Sequence, residues 1–246
     1  MAPMRLGDGT SLRAKGYSQV RKGDGTELWN AIPDSALLQI DATQDSASDG
    51  SSISTLTDFS GENNNLTGGS ATYQTGVRNG NPVYDFDGVD DEYTLSSPTT
   101  AQPYTLAYVV SFSDNGEKIT PFSTFDDGGS RATIDHNFTS EDGDGDTVQG
   151  FAGNLVSQGT PVGGWQLITA VFDGANSVIW RDGAKVVEGD FGTHDWSGFR
   201  IGNHYSSSRY LNGPLGELLF YDADLRDTGE LSTEEQRLAD KWGITI

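Results

Sequence analysis

Cysteine is absent from the 246 residues, so neither a disulfide framework nor thiolate chemistry is available, and the redox compartment is left open. Long apolar runs are missing as well. No stretch approaches the roughly 20 apolar residues that cross a bilayer, and the opening MAPMRLGDGT lacks the apolar centre of a signal peptide. Neither a membrane span nor a secretion signal is expected. Basic residues are scarce: 15 Lys and Arg stand against 36 Asp and Glu, a formal net charge of −21. Affinity for phosphates needs clustered Lys and Arg, so nucleic acid is not an expected partner.

What is present points to a folded β protein. Five Trp, nine Tyr and eleven Phe argue against a disordered acidic chain, and the length suits one large all-β domain or two small ones. Asp outnumbers Glu, Arg outnumbers Lys, and the charge is spread along the chain. That balance resembles proteins of extreme halophiles, whose acidic surfaces stay hydrated while molar salt screens their self-repulsion.

The first 35 residues differ from the rest. LGDGTSL at 6–12 and KGDGTELW at 22–29 repeat Gly-Asp-Gly-Thr, and Asp-Gly supplies the positive-φ positions of a tight hairpin turn. This leader holds five of the 15 basic residues, Arg5, Arg13, Lys15, Arg21 and Lys22. A basic arm on an acidic chain is read as an assembly element, with Arg13, Lys15, Arg21, Lys22 and Trp29 as its docking residues toward an acidic partner or further copies of itself. From about residue 36, short alternating runs are separated by Gly, Asn, Asp and Ser clusters, the pattern of a sandwich. The clearest are YTLAYVVSF (104–112), GWQLITAVFDG (164–174), SVIWRDG (177–183) and GELLFYD (216–222). In the first, Tyr104, Leu106, Tyr108, Val110 and Phe112 share one face. Residues 44–82 read as long loops with short edge strands. One helix is expected at the C-terminus, where Ser232 and Glu235 form a capping box, Leu238 and Trp242 face the core and Gly243 ends the helix.

Three stretches in order carry a family resemblance over residues 36–246: YDFDGVDDEYTL, GWQLITAVFDGANSVIWRDGAKV, and FRIGNHYSSSRYLNGPLGELLFYDADLRDTGELSTEEQRLADKWGI. They resemble the laminin G-like type of the concanavalin A-like jelly roll. The resemblance implies an all-β jelly-roll sandwich with an extended N-terminal arm and one short C-terminal helix. It leaves function open, since the fold hosts lectins, glycan hydrolases, adhesion modules and virion proteins. The leader, ending in Gly-Thr-Glu-Leu-Trp, resembles the N-termini of tailed-virus structural proteins, where such arms fasten a surface domain to the particle.

Three acidic or aromatic clusters invite a chemical reading. In FDGVDDEYTL (86–95), Phe86 and Tyr93 have strand spacing to the core, Gly88 serves the turn, and the carboxylates are expected to project into solvent as Asx-type turn residues. In EDGDGDTVQG (141–150), Asp142, Asp144 and Asp146 alternate in the manner of calcium ligands, although Thr147 and Gly153 stand where an EF-hand needs its glycine and its glutamate. Because laminin G-like domains often hold one calcium at a loop rim, Asp126 and Asp127 are alternative donors, and nothing in the spacing selects between the two sets. In NHYSSSRYLN (203–212), His204, Tyr205, Arg209, Tyr210 and Asn212 offer the aromatic platform and planar polar groups that glycan binding uses, though Tyr210 and Leu211 equally suit the start of a strand.

Catalysis finds less support. A retaining glycanase needs two carboxylates about 5 to 5.5 Å apart, and hydrolases of the resembled fold present theirs as Glu-X-Asp-X-X-Glu or Glu-X-Asp-X-Glu. EGDFGT at 188–193 supplies Glu188 and Asp190 and then lacks the third member. His136, His194 and His204 have no metal-type spacing, and phosphate-loop, dinucleotide and nucleophile-elbow motifs are absent. The sequence therefore leads to an expectation of a non-enzymatic virion surface protein of a virus of a halophilic host, whether capsid decoration, turret, tail or fibre. It would be homo-oligomeric, tied to other virion proteins by its arm, and able to bind host surface glycans. The alternatives are a cellular or secreted carbohydrate-binding module and, less favoured, a glycan hydrolase.

Overall fold

The structure, a computed structural model, describes residues 19–21, 27–30, 36–112, 118–125, 131–137, 147–159, 162–205 and 209–246. The chain divides into two compact units, Met1–Ala36 and Leu37–Ile246. In the first, β1 (Gln19–Arg21) pairs antiparallel with β2 (Glu27–Asn30), with Val20 opposite Trp29. The second Gly-Asp-Gly-Thr copy lies between these strands. Arg21 and Trp29 belong to them, while Arg13, Lys15 and Lys22 lie outside the described residues.

The remaining strands are β3 (Ala36–Asp41), β4 (Thr55–Leu56), β5 (Leu66–Thr67), β6 (Thr72–Arg78), β7 (Asn81–Asp87), β8 (Tyr93–Thr100), β9 (Tyr104–Phe112) and β10 (Lys118–Ser123). They continue with β11 (Thr133–Asn137), β12 (Thr147–Phe151), β13 (Leu155–Gln158), β14 (Gly164–Phe172), β15 (Ser177–Arg181), β16 (Ala184–Gly189), β17 (Trp196–Ile201) and β18 (Asn212–Tyr221). Two antiparallel sheets result, one in the order β13-β12-β11-β10-β17-β8-β5-β4, the other β16-β15-β14-β9-β18-β7-β6 with β3 added against β18. The all-β sandwich expected from the alternation is the observed fold.

Its core lies between the sheets. Tyr104, Leu106, Tyr108, Val110 and Phe112 all point into it, as their period-2 spacing requires. At its centre Trp196 stacks on Phe122 with centroids 4.9 Å apart and meets Phe220 at 5.3 Å. Such rings contribute roughly 0.5–1.5 kcal/mol per pair beyond the area they bury. In the polar segment 44–82, Ile53, Leu56, Leu66, Ala71 and Tyr73 are buried and Phe59 is half-buried, and β6 is longer than a short edge strand.

Leu167, Val109, Leu219 and Tyr221, on the opposite side of the second sheet, are buried too. Helix α2 (Leu231–Trp242) packs against this sheet through Glu234, Glu235, Leu238, Ala239 and Trp242, after a single turn α1 (Leu225–Thr228). Gly243 closes α2 at φ 62°, a left-handed conformation that glycine adopts without cost. The capping box does not form. Glu230 occupies the N-cap, which puts Thr233 and not Glu235 at the third helical position, and Glu235 instead accepts a hydrogen bond of 2.8 Å from Thr169 Oγ1. Glu235 lies on the same helical stripe as Leu238 and Trp242, so it is turned toward the sheet and away from the helix start.

Candidate functional site

Alternation along β11 divides its residues between two environments. Ile134 belongs to the core, and His136 follows it inward, its ring 4.6 Å from that of Phe112. Burial lowers the His136 pKa to about 3, so the imidazole is neutral. Thr133 and Asp135 take the opposite face of the sheet. There Asp135 accepts from Thr120 Oγ1 at 2.6 Å and from Arg209 Nη1 at 3.3 Å, with Lys118 Nζ 3.6 Å away. Across the ladder Asp135 pairs with Gln149, and Gln149 with Ser157. The Gln149 amide donates to Thr147 Oγ1, but among the described residues its buried Oε1 has no partner, and neither has Ser157 Oγ.

One strand position away, Arg131 lies over the Phe151 ring with its guanidinium carbon 3.9 Å from the centroid, and its Nη1 donates to Tyr205 Oη at 2.8 Å. Its Nε is buried and has no hydrogen-bond partner among the described residues. The Tyr205 ring in turn sits 4.4 Å from that of His204. This corner is built by Asn203, whose side-chain oxygen accepts from the backbone N–H of both His204 and Arg209, at 2.7 and 3.0 Å. The Thr120 N–H donates to the Arg209 carbonyl at 3.1 Å, which ties the loop to β10. Burial chiefly, and then the charges of Arg209, Arg131 and Lys118, lower the His204 pKa to about 4 against the pull of Asp135. A neutral imidazole therefore stands among three cations and one carboxylate. The half-buried members of the group are the Tyr205 and Phe151 rings and the Arg131 and Arg209 guanidinium groups.

The structure brings together three of the five residues singled out in NHYSSSRYLN: His204, Tyr205 and Arg209. Tyr210 is half-buried beside them in sequence, and Leu211 is buried. Asn212 leaves the group, since it pairs with Asp87 in the second sheet. Arg131, Asp135, Gln149 and Phe151 were not singled out. A charged residue alternating with Ile134 and His136 is the one signal that marks Asp135 as outward-facing; Arg131 and Phe151 carry none, because their partners are distant in sequence.

The other candidates are resolved differently. Oxygens of Asp87, Asp90 and Asp91 lie within 4.8 Å of one another, but Asp91 is buried, which corrects the expectation that these carboxylates face solvent. Asp91 accepts from Ser70 N at 3.0 Å, Ser70 Oγ at 2.8 Å and Asp87 N at 3.0 Å, and Asp87 accepts from Val89 N at 2.8 Å. Gly88 takes φ +78°, and a side chain there would meet Asn212 Cβ at 2.7 Å. The cluster is thus the brace of its own turn. Glu92 bonds Arg200 at 2.5 Å. Glu188 is exposed and pairs with Lys185, and Asp190 accepts from Gly192 N at 2.9 Å. The calcium candidates Asp126, Asp127, Asp142, Asp144 and Asp146 lie outside the described residues.

No family model and no curated protein matches the chain. Solved structures do. Domain 4 of an extracellular GH43 arabinanase from Geobacillus stearothermophilus, in complex with arabinotriose, aligns over 76% of this chain and 92% of its own at 15% identity, TM-score 0.53. A Trypanosoma rangeli sialidase aligns over 88% of this chain but 35% of its own at 10% identity, TM-score 0.56. A GH54 α-L-arabinofuranosidase aligns over 75% of this chain and 50% of its own at 14% identity, TM-score 0.53. This chain therefore spans about a third of the sialidase and half of the arabinofuranosidase. The expectation of a non-enzymatic protein is contradicted by these neighbours, which come from glycoside hydrolases. At such identities the likeness establishes the sandwich fold shared with domains of glycan-processing proteins.

Proposed function

We propose that the sandwich is a carbohydrate-binding domain whose site is the Arg131–Tyr205–Arg209–Asp135 group. The observation that carries this reading is the half-buried Tyr205, which is hydrogen-bonded to an arginine lying over Phe151 and packed on His204, itself within the field of Asp135 and Arg209. Flat apolar faces beside fixed planar hydrogen-bonding groups match a sugar ring, which has apolar C–H patches and a rim of hydroxyls. Likeness to an arabinanase domain in complex with arabinotriose, over nearly the whole of that domain, supports it. The test is calorimetric titration of the full chain with arabinotriose, lactose, sialyllactose and trigalacturonic acid. Binding of at least one sugar, weakened about tenfold or more by Tyr205→Ala as expected for an aromatic anchor, upholds the proposal. Absence of binding, or binding indifferent to Tyr205, overturns it. Reducing-end release in the same samples reports cleavage.

A second reading concerns placement. Met1–Ala36 forms a compact unit of its own and carries Arg13, Lys15, Arg21, Lys22 and Trp29 within a chain of net charge −21. That contrast supports docking of the leader on an acidic partner, such as other virion proteins or further copies of the chain. Deleting residues 2–35 is expected to leave the sandwich folded by circular dichroism and to abolish incorporation into the assembly. Unchanged incorporation removes the docking role.

A further inference from the structure

Arg131 carries a charge that no carboxylate among the described residues pairs with. Its Nη1 donates to the Tyr205 hydroxyl, its face rests on Phe151, and its Nε is buried without a hydrogen-bond partner among the described residues. The nearby acid, Asp135, is committed to Arg209, with Lys118 beside it and Thr120 on its other oxygen. His204 is neutral between them, its pKa lowered to about 4. In a chain with more than twice as many acids as bases, Arg131 is a half-buried guanidinium without a carboxylate among the described residues; Arg78 lacks one there too, but it donates to the carbonyls of Trp242 and Gly243 at the end of α2. Arg226, Arg237 and Arg200 each pair with a carboxylate at 2.5 Å.

Half-buried charge held without a counter-ion is unfavourable in the free protein, and it becomes favourable when an anion completes the pair. Guanidinium geometry narrows the anion. Its planar fork of N–H groups matches the two oxygens of a carboxylate and gives paired, charge-assisted bonds.

Resting on the glycan-binding reading above, we propose that the ligand is a carboxylate-bearing sugar, a uronate or sialate residue, whose carboxylate pairs with Arg131. Recognition of the acid is electrostatic and directional, so affinity falls as salt rises.

The experiment titrates the full-length protein and its Arg131→Gln and Arg131→Lys variants with trigalacturonic acid, sialyllactose, lactose, arabinotriose and a sulfated heparin disaccharide at two salt concentrations. Circular dichroism confirms that each variant is folded. The expected result is binding of an acidic sugar in preference to its neutral counterpart, weakened about tenfold or more in Arg131→Gln and only partly restored by the lysine, which keeps the charge but loses the fork. Equal binding of neutral sugars by wild type and Arg131→Gln overturns this inference and leaves the glycan-binding reading intact. Binding of the sulfated probe alone overturns the carboxylate class. Failure of every sugar to bind overturns both.

Discussion

Glu217 and Asp135 are carboxylates withdrawn from water on the outer faces of opposite sheets, yet the cations around them are balanced differently. On the second sheet, helix α2 covers Glu217 and brings Arg237 Nη2 to 2.8 Å, Lys241 Nζ to 2.6 Å and Trp242 Nε1 to 3.2 Å. Each cation there has a further acid: Arg237 also binds Glu234 and Lys241 also binds Asp41. On the first sheet, Asp135 is shared by Arg209 and Lys118, while Arg131 has no carboxylate partner among the described residues. A cluster whose charges close on themselves serves to hold a helix on a sheet. A cluster with a guanidinium to spare is suited to bind.

The sharpest break of this comparison is Glu217→Ala. Burial pushes the Glu217 pKa up, but Arg237 and Lys241 outweigh it and hold the group at about 2. Removing one member of a buried ion pair typically costs about 3–5 kcal/mol, because the remaining charges stay desolvated. A drop of that size in unfolding free energy, read from denaturant titration, is expected. A loss below about 1 kcal/mol would place the network among weak surface pairs and dissolve the contrast. The sign in acid follows from the same depression: the Glu217 contribution is complete above its unfolded value near 4.5 and disappears as pH falls through about 2.

A smaller effect separates the core from both faces. His136 and His204 have pKa values lowered from 6.5 to about 3 and about 4. Each is neutral in the fold and protonates on unfolding, so stability is full above pH 6.5 and declines as pH falls toward those values. For one such group the slope is at most about 1.4 kcal/mol per pH unit. His136→Leu, which keeps the apolar contact with Phe112, is expected to flatten the decline below pH 6.5 by one proton's worth. A slope unchanged from wild type would mean that His136 titrates in the fold.

How much of this could be read beforehand differs between the faces. The inward side of β9 was legible because period-2 spacing is a local property of the backbone. Its other side, buried under α2, was not, since Thr105, Ala107 and Val109 alternate no differently from half-exposed residues, and the cover comes from residues more than a hundred positions later. Glu235 looked like a capping residue because spacing from Ser232 fits, but the chain uses Glu230 and aims Glu235 at Thr169. In the site, the loop residues His204, Tyr205 and Arg209 were visible as an aromatic and polar cluster. Asp135 meets Arg209 from 74 residues away, a proximity that only the sheet order creates. Asn212 was misplaced for the converse reason: neighbours in sequence part company where β18 begins in the other sheet.

The smallest expected change sharpens the comparison most, because it concerns a cation that stabilises little. Arg131→Gln removes one hydrogen bond to Tyr205 and the stacking on Phe151, together worth about 1–2 kcal/mol, and it also relieves an unpaired half-buried charge. The two effects oppose each other, so the net change in unfolding free energy is expected to stay within about 1 kcal/mol, several-fold below that of Glu217→Ala measured under the same conditions. A loss of about 3 kcal/mol or more would be the signature of a buried structural pair. It would mean that Arg131 holds this face together much as Arg237 holds the other, with no positive charge left over for a ligand.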